Sequence, residues 1–200
     1  MITALDLAGM FVFALSGAHA AARKGMDVVG MFTLGLVTAI GGGTVRSLLI
    51  GDYPVPFLRA PWPFASVLLA TLIVFLGWQQ IERLSKPIRL FDAIGLGVYM
   101  ALGVTISLDL GQPWWSALLL GCATAVSGGI FRDILRNEVP FVLLPGEFYA
   151  TTVVLGAVAF LTLESAGAPR QVAMVTGAAL TITTRLFAMY FRWSTTPARE

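Results

Sequence analysis

Two stretches of this 200-residue chain are copies of one another. Thr38 to Pro54 reads TAIGGGTVRSLLIGDYP and Thr124 to Pro140 reads TAVSGGIFRDILRNEVP. Thr38/Thr124, Ala39/Ala125, Gly42/Gly128, Gly43/Gly129, Arg46/Arg132, Leu49/Leu135 and Pro54/Pro140 are identical, always 86 residues apart. The same register holds upstream at Asp6/Asp92, Gly9/Gly95, Val12/Val98, Gly17/Gly103, Gly25/Gly111 and Gly35/Gly121. Identities spread without a gap from position 6 to position 54 mark a tandem duplication of one structural unit. Any fold for this chain must contain that unit twice.

Composition says where the units reside. Hydrophobic residues make up 57% and charged residues 12%, with a mean hydropathy of +0.83, against roughly 45–50% and about 25% in an average soluble domain. The chain reads as a polytopic membrane protein surrounded by lipid. A formal charge of +2 and 13 scattered Lys and Arg form no basic stripe, which excludes nucleic acid as a partner. The single cysteine, Cys122, excludes an intrachain disulfide and a multi-cysteine metal site. Met1 to Ala22 lacks a basic leader, and Arg23 and Lys24 follow the apolar run, so it reads as a first spanning helix rather than a signal peptide.

A bilayer core about 30 Å thick needs about 20 mostly apolar residues per helix. Seven such segments lie near 3–22, 29–50, 63–81, 90–108, 114–136, 147–164 and 171–192. The expected fold is therefore all-α, with a three-helix unit over 1–86, a second over 87–170, and a seventh helix and cytoplasmic tail over 171–200. An odd number of helices per unit makes the second copy enter from the opposite side, an inverted 3+3 repeat. With the N-terminus outside, the inner loops and tail hold Arg23, Lys24, Arg83, Lys86, Arg89, Arg136, Arg192 and Arg199, and the outer loops only Arg59 and Arg170. That bias fits a multi-pass cell (inner) membrane protein with N-terminus out and C-terminus cytoplasmic. Trp62, Trp78, Trp114, Trp115 and Trp193 fall near segment ends, at headgroup depth.

Gly41, Gly42 and Gly43 in mid-segment cost about 1 kcal/mol each relative to alanine, and Ser127, Gly128 and Gly129 recur in the copy. Two readings stand: close helix packing, or a break whose freed carbonyls face a cavity. Recurrence at matching positions favours the break, the mark of a midplane binding or permeation site. Arg46 and Arg132 follow three residues later on roughly the same face. So deep a charge needs a wet cavity or an acidic partner, with Asp133, Asp52 and Glu138 as candidates; snorkelling to the headgroups is the alternative. Asp133 stands where the first copy has Ser47, so the path is expected to be electrostatically asymmetric.

Asp6 and Asp92 open the first helix of each unit and read as dipole caps. His19, beside Ser16, reads as a lone hydrogen-bonded histidine, and Arg185 as a contact to headgroups or another helix. Gly9, Gly17, Gly95 and Gly103 are small residues suited to contacts between protomers. No nucleophile–base pair, metal-ligand spacing or phosphate-binding loop is present, so no enzyme is expected.

At GGGTVRSLLIGDYPVPF and SGGIFRDILRNEVPFVL, on a plan of three plus three plus one helices, the chain resembles the prokaryotic branch of the trimeric intracellular cation channels, also described by a "glycine transporter" label. The resemblance implies a homotrimer with one pore per protomer, lined by the first, second, fourth and fifth helices. It implies kinks in the second and fifth helices at Gly41 to Gly43 and Ser127 to Gly129, with Arg46, Arg132 and Asp133 as pathway charges. It implies passive passage of monovalent cations, potassium or sodium, and no cofactor. The animal members' lysine-bearing signature is absent, since Thr44-Val45-Arg46 follows the triplet, so phosphoinositide and calcium regulation do not carry over. A carrier for glycine or another small amino acid and a structural protein with glycine packing contacts are the rival readings.

Overall fold

The computed structural model describes residues 2–83, 87–144 and 148–191. Lys86, Arg192, Trp193 and Arg199 of the sequence reading, and position 147 at the start of its sixth segment, lie outside them. The described residues form eight α-helices and no strand: α1 Ile2–Arg23, α2 Val28–Ile50, α3 Trp62–Leu76, α4 Trp78–Glu82, α5 Pro87–Asp109, α6 Trp114–Leu135, α7 Ala150–Ser165 and α8 Arg170–Phe191. Short 3-10 turns at Pro56–Leu58 and Phe141–Leu143 follow the repeated prolines.

Seven spans were expected, and five helices have the length and apolarity to cross a bilayer: α1, α2, α5, α6 and α8. The other two are shorter, with 15 residues in α3 and 16 in α7. The expected third segment, 63–81, divides at Gly77, which leaves helical geometry at φ −101°, ψ 18°. The five-residue α4 then turns back over the end of α1, where Trp78 stacks on His19 at 5.0 Å and Glu82 Oε2 lies 2.9 Å from His19 Nε2.

The duplication reaches the turns. Gly25 and Gly111, 86 residues apart, both take left-handed φ, +72° and +74°. Gly51 caps α2 at φ +70°, and Asn137, its counterpart after α6, has φ +55°. At each end a backbone N–H reaches five residues back, Asp52 to Ser47 at 3.0 Å and Glu138 to Asp133 at 2.9 Å, which satisfies carbonyls that a helix end leaves open.

The same register governs the packing of α1, α2, α5 and α6. Phe13 and Tyr99 are counterparts and stack on each other, centroids 5.1 Å apart and planes at 14°. A Cβ on Gly35 would lie 3.2 Å from the Ala14 carbonyl oxygen, and one on Gly121 3.2 Å from that of Met100. Where α2 crosses α6, a Cβ on Gly42 would collide with the Thr124 carbonyl, and one on Gly128 with the Thr38 carbonyl. Thr38 and Thr124 fold their hydroxyls back onto Leu34 O (2.6 Å) and Leu120 O (2.5 Å), which keeps both donors satisfied at the crossing.

Both triplets lie inside unbroken helices, and in this state Gly42 and Gly128 serve backbone approach. Gly9, Gly17, Gly95 and Gly103, expected at protomer contacts, are buried within the chain instead. Gly9 packs on Val98 and Tyr99, Gly95 on Phe13, Gly17 on α2 and Gly103 on α6. Outward-facing positions carry large apolar residues such as Leu68, Leu69, Leu72 and Leu76 on α3 and Val154, Leu155 and Val158 on α7.

Candidate functional site

Arg132 is fully buried, and three helices supply its partners. Its Nη1 donates to Asp92 Oδ1 and to Ser16 Oγ, both at 2.7 Å. Nε and Nη2 donate to the two oxygens of Asp133 at 2.8 and 3.1 Å, and Asp133 Oδ2 also accepts from the Phe141 backbone N–H at 3.1 Å. The guanidinium lies 4.9 Å from the centroid of the Phe141 ring. Arg136 Nη1 lies 3.6 Å from Asp133 Oδ1, so two guanidiniums face two carboxylates and the cluster is close to charge-balanced. Removing one member of such a buried group costs about 3–5 kcal/mol, because it strands an uncompensated charge.

Beyond Phe141 a cavity of about 420 Å³ opens at the Arg23 end of the bundle, among Arg23, Lys24, Arg89, Arg136 and Glu138. Lys24 and Arg136 bind Glu138 at 2.9 and 3.0 Å. The hydrogen bond from Lys24 holds the Glu138 carboxyl below its ordinary range against the opposing effect of burial, with the Arg136 charge adding to the depression. Arg89 also lies over the Phe141 ring, at 5.2 Å, so this side chain separates the cavity from the Arg132 cluster.

Arg46, the counterpart of Arg132, is 1% exposed yet differently served. Its Nε and Nη1 have no hydrogen-bond partner. Asp133 is replaced by Ser47, whose Oγ is likewise buried without a partner. Asp52, a candidate partner, is instead held by Arg59 Nη2 at 2.5 Å, while Arg59 Nε donates to Pro54 O at 2.8 Å. Arg46, Asp6, Asp52 and Arg59 line a second cavity of about 350 Å³ together with Thr3 and Trp62. The two cavities lie at opposite ends of α1 and α5, roughly 25 Å apart at 1.5 Å per residue along α1.

Of the sequence-predicted residues, Arg132 and Asp133 come together, whereas Glu138 belongs to the adjoining cavity and Asp52 to Arg59. Burial rules out snorkelling for Arg132. Asp92 is not a cap: α5 begins at Pro87, and Asp92 is buried one turn deeper as the partner of Arg132. Asp6 likewise lies in the second turn of α1. Arg185 reaches the Phe148 carbonyl at 3.2 Å and stacks over Tyr149 at 4.7 Å, so it binds its neighbours within the bundle rather than headgroups. Sequence reasoning missed Ser16, Phe141 and Tyr149. It also missed the pairing of Asp92 with Arg132, for which a signal existed: both copies keep an acid 40 residues before the arginine.

The profile of a family described as "Glycine transporter" matches residues 3–79 and again 89–165, the same 86-residue displacement. The UPF0126 inner membrane protein YadS of Escherichia coli (strain K12) is 34% identical over 191 residues, 94% of this chain and 91% of its own length. A UPF0126 membrane protein of Deinococcus radiodurans is 35% identical, covering 94% of this chain and 85% of that one. Among solved structures, the TRIC trimeric intracellular cation channel orthologue from Rhodobacter sphaeroides superposes with a TM-score of 0.90 at 35% identity, over 95% of this chain and 97% of that one.

The chain belongs to the TRIC family. A second TRIC cation channel structure matches with a TM-score of 0.87 at 35% identity, over 99% and 97% of the two chains. Against the TRIC channel of C. elegans with bound Ca2+, at 15% identity and a TM-score of 0.64, the likeness is one of fold alone. The TRIC neighbours are channels rather than enzymes, and the relatives are membrane proteins, in agreement with the sequence reading.

Proposed function

We propose that this chain is a passive channel for monovalent cations, potassium or sodium, with one conduction path inside each protomer of a homotrimer. The observation that carries the reading is the pair of cavities at opposite ends of α1 and α5, one lined by Arg46 and the other parted from the Arg132 cluster by the Phe141 ring. Between them lies the crossing of α2 and α6 at Gly42 and Gly128. Likeness to TRIC cation channels at 35% identity supports the same reading. A deep arginine would repel a cation, but Asp92 and Asp133 neutralise Arg132, which lowers that barrier.

The path is lined by α1, α2, α5 and α6 and is closed in this state. Opening bends α2 at Gly41 to Gly43 and α6 at Ser127 to Gly129, where glycine makes a helix easiest to deform. The units 1–86 and 87–170 are inverted with respect to each other, α3 and α7 serve as short spans, and residues 171–200 complete the chain. The excess of basic residues at the Arg23 end supports a cytoplasmic location for that end and an N-terminus outside.

Proteoliposomes distinguish this from carriage of glycine: a channel gives potassium-driven rubidium uptake without saturation, and a carrier gives saturable amino-acid counterflow. Native mass spectrometry in mild detergent is expected to give the trimer, and a clean monomer or dimer would contradict it.

A further inference from the structure

We propose that Arg185, on the helix outside the duplicated units, is a positioning residue for the central cluster: through the Tyr149 ring it holds Asp92 against Arg132. A guanidinium at bilayer depth is costly unless protein groups satisfy it. Arg185 is nonetheless 1% exposed and stands with Arg46 and Arg132 among the largest fully buried side chains. Its contacts converge on the two residues that precede α7. Nη1 donates to the Phe148 carbonyl at 3.2 Å, and the guanidinium lies 4.7 Å from the centroid of the Tyr149 ring. Tyr149 is buried at the N-terminal end of α7, where its carbonyl accepts from Thr152 Oγ1 at 2.8 Å. The backbone of Tyr149 is thus tied to α7, and its ring face to α8.

The tip of that ring is the hydroxyl, which hydrogen-bonds the Asp92 carboxylate. Gly129 makes the room, since a Cβ there would lie 2.9 Å from the Tyr149 hydroxyl and 3.1 Å from Asp92 Oδ1. Arg132 Nη1 binds the same Asp92 oxygen at 2.7 Å. One line of contacts therefore runs from Arg185 on α8 through Tyr149 and Asp92 to Arg132 on α6. The first copy shows the cluster without this line. There the counterpart of Tyr149 is Pro63, which offers no aromatic face to a cation and no donor to a carboxylate. Asp6 and Arg46, the counterparts of Asp92 and Arg132, form no ion pair among the described residues, and Arg46 Nε and Nη1 have no hydrogen-bond partner. The acid meets the arginine in the copy that has Tyr149 and not in the copy that lacks it. A donor fixed on an ionised carboxylate orients it strongly, and a desolvated cation over the ring restrains the ring that carries the donor.

The assignment rests on the geometry of the cluster, so its readout is taken from the cluster and needs no current. Protein with isotope-labelled arginine, in nanodiscs, gives side-chain NMR signals for Arg132 and Arg46, assigned with the Arg132→Lys and Arg46→Lys variants. Tyr149→Phe keeps the ring beneath Arg185 and removes only the hydroxyl; it should shift the Arg132 signals and leave those of Arg46 in place. Arg185→Gln should shift the Arg132 signals as well, and by much less once Tyr149→Phe is present, because it acts through that residue. Arg185→Lys keeps a cation but loses the planar stack, so it should shift them less than Arg185→Gln does, and it supplies the same comparison should Arg185→Gln fail to fold. A helix that merely packs would lower the melting temperature without these selective, non-additive shifts. Arg132 signals unmoved by Tyr149→Phe, or an effect of the Arg185 variants that is equal in both backgrounds, would overturn the proposal. On the reading of a cation path, a displaced Asp92 leaves Arg132 less neutralised, so Tyr149→Phe should also lower unitary potassium conductance. Absence of currents already in the unsubstituted protein would contradict that reading, while the NMR shifts still decide the role of Arg185.

Discussion

Arg132 is both a structural and an electrostatic centre, and the two roles separate by substitution. Arg132→Ala strands Asp92 and Asp133 in a buried site and should cost about 3–5 kcal/mol, read as a large drop in thermal stability in detergent. The fully buried cluster makes stability the first readout of this variant. Arg132→Lys keeps one charge but loses the planar fork that binds Asp133 through two nitrogens. It should fold with a smaller loss and alter single-channel conductance. Unchanged stability and unchanged currents in both variants would show that the cluster serves neither purpose. The need of a deep arginine for an acid, and Asp133 as a candidate, were legible from charge and depth. Asp92 was read as a cap because a run of apolar residues does not mark where a helix starts, and α5 starts one turn before the expected position. Phe141 lies beyond the helix that carries Arg132, and no local pattern points it back to it.

Helices α2 and α6 approach closely enough that individual glycines of one triplet differ in role. Gly42→Ala drives a methyl into the Thr124 carbonyl and should destabilise by about 1–3 kcal/mol, the range for overpacking. At Gly43 the nearest atom to a new Cβ is Arg46 Nη2 at 4.0 Å, so Gly43→Ala should be tolerated or slightly stabilising. Melting temperatures of the two variants, measured side by side, check this; equal effects would contradict the crossing geometry. The duplication made it legible that both triplets do the same job. Which glycine of each triplet touches the partner depends on the rotation of one helix against the other, and that rotation is not written in either triplet. The third segment was overextended for a similar reason: Gly77 is one glycine among many in the sequence, and only its departure from helical geometry ends α3 there.

At the scale of the molecule, charge is distributed so that the two ends of the proposed path differ. The Arg23 end gathers Arg23, Lys24, Arg89 and Arg136 against Glu138, while the Asp6 end is balanced. A cationic mouth depletes permeant cations over about one Debye length, roughly 10 Å at 0.1 M salt and 3 Å at 1 M. Arg23→Gln should therefore raise unitary potassium conductance at low ionic strength and have little effect at 1 M, a dependence that bilayer recordings in graded KCl would measure. The membrane class and the all-helical architecture were legible in composition and in the 86-residue register, and the positive-inside count added an expected orientation. The charges of the two vestibules were not, because each joins residues from helices distant in the chain. The central claim, passive cation conduction, is tested most directly by recording purified protein in planar bilayers under a KCl gradient. Unitary currents that reverse near the potassium equilibrium potential are the predicted result; reversal at the chloride potential, or no unitary currents from trimers that fold normally, would contradict it.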